Sequence, residues 1–399
     1  MKRLIYFFFI SILFFNCEND LDINADWEEI PVIYSVLNSG ADNDCDGDGV
    51  LNLNDEDGCK ENYIRIQKSF IDTRPANEMA QISDSIYYLQ NQSLVWIEEI
   101  CGNDTISFDL EFISSLEKPD DGYFSNENHH FYKFSEQLNH ECQYKVSFMN
   151  LSTGKISYAT TNVVEPIDVS QWPTLQSQQG IGTTPTNGTG ADGLFELIIP
   201  QPGFSPIKKQ IKIDPSKNGK LYKMFLRFNY VEVDQETGIK DTLFVDWNFG
   251  SKIASETQVS GDNSTEKIIF DFNSIQFFQD LASSIPTKDN VFRYAIVENG
   301  GIDGVVHPCL DFHFEILDIN LYNYFSSQNS SGLIQNRPIY TNIQDGVGLF
   351  SSVSTQSFYG IKMSDNTNYD LATSVITSSL NFRCFNNVDD IENLGFNCQ

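Results

Sequence analysis

The chain has 399 residues with 25 Lys and Arg against 55 Asp and Glu, which gives a formal net charge of -30. This charge excludes a nucleic-acid-binding protein, because such a protein needs a basic surface to neutralise phosphates. A hydrophobic content of 40% excludes a wholly disordered chain, and the lack of any apolar run near ~18–20 residues after residue 16 excludes a polytopic helical membrane protein.

Residues 1–16 are predicted to be a bacterial lipoprotein signal peptide. Two basic residues are followed by an apolar stretch that is too short to span a membrane. Cys17 stands where the signal would be cut, so its thiol is the expected site of lipid attachment. Phe14 and Asn16 depart from the usual pattern, which has Leu and a small residue at these positions. The alternative is an ordinary signal peptide with a disulfide cysteine nearby.

Residues 17–29 are expected to be a tether between the lipid and the folded part of the chain. The tether begins with an acidic run at residues 18–22. This run resembles the signal that sends some Gram-negative lipoproteins to the outer face of the outer membrane. The sequence therefore predicts a protein that is anchored by lipid to the outer membrane and faces the outside of the cell.

Residues 30–168 are predicted to form a β-sandwich of the immunoglobulin or fibronectin type. Six short segments alternate apolar and polar residues, as half-buried strands do, and turn residues separate them. A short helix is expected near residues 76–82. The predicted strands cover residues 31–37, 62–70, 93–100, 105–113, 141–150 and 155–164.

An acidic segment at residues 41–61 is predicted to be a calcium-binding insertion in this sandwich. Calcium prefers hard oxygen ligands, and closely spaced aspartates would repel one another without an ion. Gly49 allows the sharp turn that such loops need, and no helices flank the segment, so it resembles thrombospondin type 3 loops rather than an EF-hand. The alternative is a disordered acidic loop. The expected ligands are Asp44, Asp46, Asp48, Val50 through its carbonyl, Asn52 and Asp55.

Residues 169–193 are rich in Gly, Ser, Thr and Gln and are predicted to be a linker or a long loop. Residues 194–399 are predicted to form a larger, antiparallel β-rich (α+β) domain. Strands and helices do not alternate regularly in this part of the sequence, so a parallel nucleotide-binding sheet is not predicted. Predicted strands cover 194–200, 208–214, 221–234, 241–249, 293–298, 309–317 and a pair within 350–363. Predicted helices cover 270–285, 319–326 and 368–383.

One strand of this domain carries a second candidate metal site. Strand periodicity places His307, Cys309, Asp311 and His313 on one face, where they could hold zinc or copper. Neighbours on one face of a strand lie ~7 Å apart, so four of them rarely reach a single ion. We therefore favour the alternative, a polar outer face with Cys309 in a disulfide.

Seven cysteines remain if Cys17 carries lipid, and an exported protein should pair most of them. An odd number leaves one cysteine, Cys309, free or paired with another chain. The sequence does not fix the connectivity. Proximity along the chain suggests the pairs Cys45–Cys59 and Cys384–Cys398, and Cys101 and Cys142 are expected to pair across neighbouring strands.

Three segments carry a family resemblance: the signal with Cys17, the two opening strands at 30–40 and 63–70, and residues 336–352. They resemble an uncharacterised family of outer-membrane-anchored bacterial lipoproteins found near TonB-dependent transporters. The acidic insertion departs from the short turn that is usual in this family. The resemblance implies an accessory protein that works with such a transporter, and it implies no catalytic residues.

The expected function is that of a non-enzymatic binding or accessory lipoprotein of the outer membrane. Its expected partners are the membrane itself and a TonB-dependent transporter. A calcium-stabilised structural or adhesive cell-surface protein is the first alternative. A hydrolase that uses dispersed carboxylates is the second. The sequence contains no nucleophile elbow, zinc-protease motif or phosphate-binding loop.

Overall fold

A computed structural model describes residues 29–40, 61–69, 75–116, 128–167, 194–195, 197, 199, 208–255, 267–295, 310–329, 340–363 and 365–383. Within these ranges the protein is mainly β, with large antiparallel sheets and few helices, as the sequence predicts. None of the helices in this described part of the chain is both long and apolar enough to cross a membrane.

The N-terminal strands form two sheets that enclose one hydrophobic core. One sheet has the order β4-β3-β7-β8, and the other contains the order β1-β2-β6-β5. Short single turns of helix at Ala76–Met79 and Ser83–Ile86 follow β2. The strands are β1 (Pro31–Asn38), β2 (Asn62–Lys68), β3 (Ser93–Cys101), β4 (Asp104–Asp109), β5 (Glu111–Leu116), β6 (His129–Phe134), β7 (Gln143–Asn150) and β8 (Ile156–Asn162).

This arrangement is an immunoglobulin-like sandwich, as predicted. Alternate residues of the strands point into the core, where Ile33, Ile97 and Val146 are fully buried. The Tyr144 hydroxyl, near the start of β7, accepts a hydrogen bond from the backbone N–H of Asn139 (2.9 Å). Such a bond from a strand tyrosine back to the preceding loop resembles the tyrosine corner of immunoglobulin-like domains.

The C-terminal strands form a second layered unit. The order β12-β11-β15-β16 shares a core with the two-stranded sheet β10-β13 and with helix α1. The strands are β9 (Leu194–Phe195), β10 (Lys208–Ile213), β11 (Leu221–Asp234), β12 (Lys240–Ile253), β13 (Ile268–Asn273), β14 (Val291–Ala295), β15 (Leu310–Leu317) and β16 (Val347–Met363). The helices are α1 (Ser274–Ser284), α2 (Ile319–Asn329) and α3 (Asp365–Thr373).

The two units repeat one strand order. The order β4-β3-β7-β8 in the first unit corresponds to β12-β11-β15-β16 in the second, and the pair β2–β6 corresponds to β10–β13. The short strand β9 pairs in parallel with the end of β16. The C-terminal unit is therefore also a sandwich, which adds detail to the β-rich domain predicted from the sequence.

Strand β16 belongs to both units. Residues 347–353 pair in parallel with residues 32–38 of β1, and residues 353–361 pair antiparallel with β15. At Gly348 (φ 122°) a Cβ atom would lie 1.9 Å from the Ile33 carbonyl oxygen, so this close pairing requires glycine. The prediction of two strands within 350–363 is wrong, because this segment continues as one strand of 17 residues.

Each core also contains residues from the other side of the predicted boundary near residue 168. Ile343 and Phe350 lie in the core of the N-terminal sandwich. Val164 and Ile167 lie in the core of the C-terminal sandwich. The boundary itself stays a prediction, but the two units share a strand and exchange core residues.

A buried aspartate links three elements at this junction. Asp318, 2% exposed, accepts a hydrogen bond from the Thr161 hydroxyl of β8 (2.8 Å) and one from the Ser351 hydroxyl of β16 (2.5 Å). It also accepts from the backbone N–H of Leu321 (2.8 Å) in the first turn of α2. Burial raises the pKa of Asp318 in spite of these donors.

Helix α1 shows how local sequence sets an element boundary. Asn273 accepts a hydrogen bond from the Gln276 backbone N–H, and the Gln276 side chain accepts from the Asn273 backbone N–H (both 3.1 Å). This capping box begins the helix at Ser274, and the first residues of the predicted helix, 270–273, belong to β13 instead. The other two predicted helices appear as α2 and α3, and α3 ends ten residues earlier than expected, at Thr373.

A fully buried arginine in β14 connects β11 to the segment that follows α3. Arg293, 0% exposed, donates from Nε and Nη2 to a Glu232 carboxylate oxygen (2.9 and 2.6 Å). Its remaining donors reach the carbonyl oxygens of Leu380 and Pro286 (2.7 and 2.8 Å). Burial opposes ionisation of Glu232, but hydrogen bonds from Lys288 and Arg293 lower its pKa. This geometry satisfies a charge that would otherwise be costly to bury.

Candidate ligand-binding cavity

Most of the residues predicted to form sites lie outside the described residues. These are the lipidation site Cys17, the calcium ligands Asp44, Asp46, Asp48, Val50, Asn52 and Asp55, the metal candidates His307 and Cys309, and the cysteines Cys45, Cys59, Cys384 and Cys398. Lipid attachment, calcium binding and the pairs Cys45–Cys59 and Cys384–Cys398 therefore stay predictions.

Cys101 and Cys142 form a disulfide, the pairing expected across neighbouring strands. The bond connects the end of β3 to the residue before β7, and Cys142 is buried. Glu99 lies beside the disulfide and accepts a hydrogen bond from the Tyr144 hydroxyl. Because the two sulfur atoms are joined, they are not thiolates that could hold a metal with Glu99.

Asp311 and His313 lie on the same face of β15, as strand periodicity predicts, but each has a different partner. Asp311 accepts from the amide of Asn229 (2.9 Å), and His313 Nδ1 bonds to the Ser357 hydroxyl (2.7 Å). The His313 ring also stacks on Phe225 with a centroid distance of 4.4 Å. Burial lowers the pKa of His313 from 6.5 to about 4, so the ring is neutral at pH 7. These contacts favour a structural role for both side chains.

The candidate binding site is a cavity of about 820 Å³ at one end of the N-terminal sandwich. This volume is within the range of small-molecule sites, about 300–1,000 Å³. The cavity lies between the start of β1, the β7–β8 hairpin and the residues that lead into β16. Its apolar lining consists of Ile30, Pro31, Tyr88, Phe148, Ile156 and Val347.

The aromatic part of this lining is held rigidly. The rings of Tyr88 and Phe148 pack with centroids 4.6 Å apart, and the Lys68 ammonium group lies 5.2 Å from the centre of the Tyr88 ring. Burial is the main cause that raises the pKa of Tyr88, and the neighbouring Glu29 carboxylate raises it further. The Tyr88 hydroxyl therefore stays protonated at physiological pH. Glu29 also accepts a hydrogen bond from the Asn150 amide (3.3 Å).

Polar groups surround this apolar floor. Glu29 and Asp345 supply carboxylates, Lys155 supplies an ammonium group, and Thr153 supplies a hydroxyl. An apolar floor with few polar groups at its edge is typical of small-molecule sites. The cavity can therefore hold a ligand that has an apolar body and a polar or charged end.

The backbone at the back of the cavity is unusually constrained. Asp345 adopts a left-handed conformation (φ 53°), and its carbonyl oxygen accepts a hydrogen bond from the Ser157 hydroxyl (2.6 Å). At the next residue, Gly346, a Cβ atom would lie 2.8 Å from the Ile343 side chain and 3.0 Å from the Pro31 carbonyl oxygen. Only glycine fits there without movement, so the segment packs closely against the start of β1.

The structure brings together segments that carry the family resemblance. The strands predicted at 30–40 and 63–70 are β1 and β2, and they pair with each other. Residues 340–352 of the third segment lie beside β1 and β8, where Gln344 and Tyr158 exchange backbone hydrogen bonds (2.7 and 3.3 Å). The segments at 30–40 and 336–352 both contribute to the cavity lining. The Asp-Gly pair at 345–346 is a turn signal at this site, but it does not by itself predict a cavity, because the lining segments are distant along the chain.

Comparisons with known proteins identify no family. No family model and no curated protein match the chain. Among solved structures, it is weakly similar to the C-terminal globular domain of oligosaccharyltransferase from Pyrococcus abyssi, at 11% identity and a TM-score of 0.16. The match covers 54% of this chain and 34% of that one, and it is too weak to support an argument about function.

Proposed function

We propose that the protein is a non-enzymatic lipoprotein of the outer membrane that binds a ligand as an accessory subunit of a TonB-dependent transporter. The observation that carries this proposal is the cavity of about 820 Å³ with an apolar floor and a polar edge, built next to the tether. Its lining offers hydrogen-bonding and ion-pairing groups that suit binding.

The position of the cavity supports a role close to the membrane. Glu29, the last residue of the predicted tether, and Ile30, the residue after it, both line the cavity. The chain advances about 12 residues from Cys17 to Glu29, a distance of at most ~42 Å when fully extended. A lipid on Cys17 would thus keep Glu29, at the edge of the cavity, within ~42 Å of the lipid-bearing residue.

The partner is tested by recovering the tagged full-length protein from detergent-solubilised outer membranes and identifying the proteins that come with it by mass spectrometry. We expect a TonB-dependent transporter in stoichiometric amount. The matched control is Cys17→Ala, which should leave the membrane fraction and lose the transporter. Recovery without a transporter, from cells on which the protein is accessible to protease, would favour the adhesive or structural alternative. An unmodified Cys17 in the intact mass would contradict the anchor.

The cavity is tested separately with the neutral apolar dye Nile red. Thr153 is exposed and lines the cavity, so Thr153→Trp should fill part of the space and reduce the fluorescence gained by bound dye. Thr242→Trp, at an exposed position of β12, is the control and should bind dye like the wild type. Equal dye binding by both variants would mean that the cavity does not take apolar ligands.

We also propose that the acidic insertion holds a structural calcium ion through the six predicted ligands. The support is the spacing of its oxygen-bearing residues in the sequence. Chelation should lower the melting temperature, and added CaCl2 should restore it. The double variant Asp46→Asn with Asp48→Asn should show neither change. A wild-type melting temperature that changes with neither chelator nor added calcium would contradict calcium binding.

A further inference from the structure

We propose that a second groove, on the C-terminal sandwich, binds a neutral saccharide. The groove has a volume of about 410 Å³ and lies between the end of β12, strand β13 and helix α1. It is at the lower end of the size range of small-molecule sites, which suits a ligand of one or two sugar rings. This site does not rest on the function proposed for the first cavity.

Three aromatic side chains form a fixed floor. The Trp247 ring packs against Phe249 and Phe272 with centroid distances of 4.3 and 5.6 Å, and Phe249 and Phe272 pack edge-to-face at 5.0 Å. Trp247 and Phe272 are 7% and 4% exposed, whereas Phe249 is half-buried, so Phe249 is the ring with the most surface available to a ligand. Because Trp247 and Phe272 hold the Phe249 ring in place, this ring can contact the C–H face of a sugar at little cost in side-chain entropy.

The rim supplies hydrogen-bonding groups from helix α1. Gln276, Gln279 and Asp280 all line the groove. Gln276 is held by the capping bond from the Asn273 backbone N–H to its amide oxygen, which leaves its amide nitrogen able to donate. In the described part of the chain, neither the Asp280 carboxylate nor the Gln279 amide has a hydrogen-bond partner or an ion pair. Both therefore have bonding capacity available to a ligand.

The charge of the lining decides the class of ligand. Among the described residues, the lining has the carboxylates of Asp271 and Asp280, three amides and one hydroxyl, and none of these lining residues is Lys, Arg or His. Anionic ligands such as phosphates or acidic sugars are disfavoured, because the two carboxylates repel them and none of the described lining residues is cationic. Carboxylates and amides together match the donors and acceptors of sugar hydroxyls. The aromatic floor and the amides favour a neutral sugar over a simple cation.

The experiment uses the full-length mature protein and affinity electrophoresis in gels that contain a neutral polysaccharide: starch, xylan, mannan, galactan or a β-glucan. We expect retardation by at least one of them. Ser283→Trp places a large ring at an exposed groove position and should abolish retardation. Asp280→Asn should weaken binding about tenfold or more, since a hydrogen bond to a charged group is lost.

The matched control is Asp241→Asn, which makes the same change at an exposed position of β12 away from the groove. It should be retarded like the wild type. Tryptophan fluorescence of the same proteins, titrated with CaCl2 or choline, tests a cationic ligand. The proposal is overturned if no polysaccharide retards the wild type, or if Ser283→Trp is retarded as strongly as the wild type. It is also overturned if no sugar binds while CaCl2 or choline changes the tryptophan emission of the wild type and not that of Asp280→Asn.

Discussion

Replacing Phe350 by Ala tests whether the C-terminal strand β16 completes the N-terminal sandwich. Phe350 is 0% exposed and lies in the core of that sandwich with Ile33 and Val146. Removing a fully buried phenyl ring leaves a cavity and costs about 3–5 kcal/mol. Because a domain is stable by only about 5–15 kcal/mol, the loss should be a large fraction of the total.

The assay combines urea unfolding with hydrogen exchange read by mass spectrometry. Phe350→Ala should speed exchange in β1 and β2 more than in β10 and β13, although residue 350 belongs to the C-terminal half of the chain. Phe244→Ala is the control, because this ring is 56% exposed and stacks on Arg227 (4.0 Å), a contact that contributes about 1 kcal/mol or less. The shared strand would be contradicted if Phe350→Ala lowered the free energy of unfolding by less than ~1 kcal/mol. It would also be contradicted if faster exchange were confined to the C-terminal unit.

Three further predictions concern stability. Replacing Cys101 and Cys142 by Ser together should cost about 4 kcal/mol in urea unfolding, because the bond closes a loop with a sequence separation of 41. Glu232→Gln should cost about 3–5 kcal/mol by the same measurement, since it leaves the buried Arg293 charge unbalanced. The lowered pKa of His313 means that the unfolded chain binds more protons between pH 6.5 and about 4, so stability should fall by up to about 3 kcal/mol on acidification through this window. His313→Gln should lose that part of the pH dependence, and an unchanged profile would contradict the account.

Much of the fold follows from local pattern. The alternation of buried and exposed residues in β1, β3 and β8 is strong enough to place these strands in the sequence. Helix α2 is likewise predicted near its observed start at Ile319. Strand β6 is absent from the predicted strands. It begins with two polar residues, His129 and His130, which in the structure pack against the aromatic rings of Phe131 and Tyr87.

Long-range pairing could not be predicted in the same way. Nothing near Val347 or Phe350 indicates a parallel partner more than 300 residues earlier, because the pairing of β1 and β16 is a property of the folded chain. The cavity and the groove could not be predicted for the same reason. Their linings combine segments such as Ile30 with Asp345, or Trp247 with Asp280, that only folding brings together. The disulfide could be predicted because Cys101, at the end of β3, and Cys142, just before β7, belong to neighbouring strands of one predicted sandwich.

The central claim, that the cavity beside the tether faces a transporter, is tested most directly by photocrosslinking on whole cells. Benzoylphenylalanine replaces Thr153 at the edge of the cavity, and in a matched protein it replaces Thr242 on β12, where the side chain is also exposed. The account predicts a crosslink to a TonB-dependent transporter from position 153 and a much weaker one from position 242. Equal crosslinking from both positions, or a crosslink from neither, would contradict it.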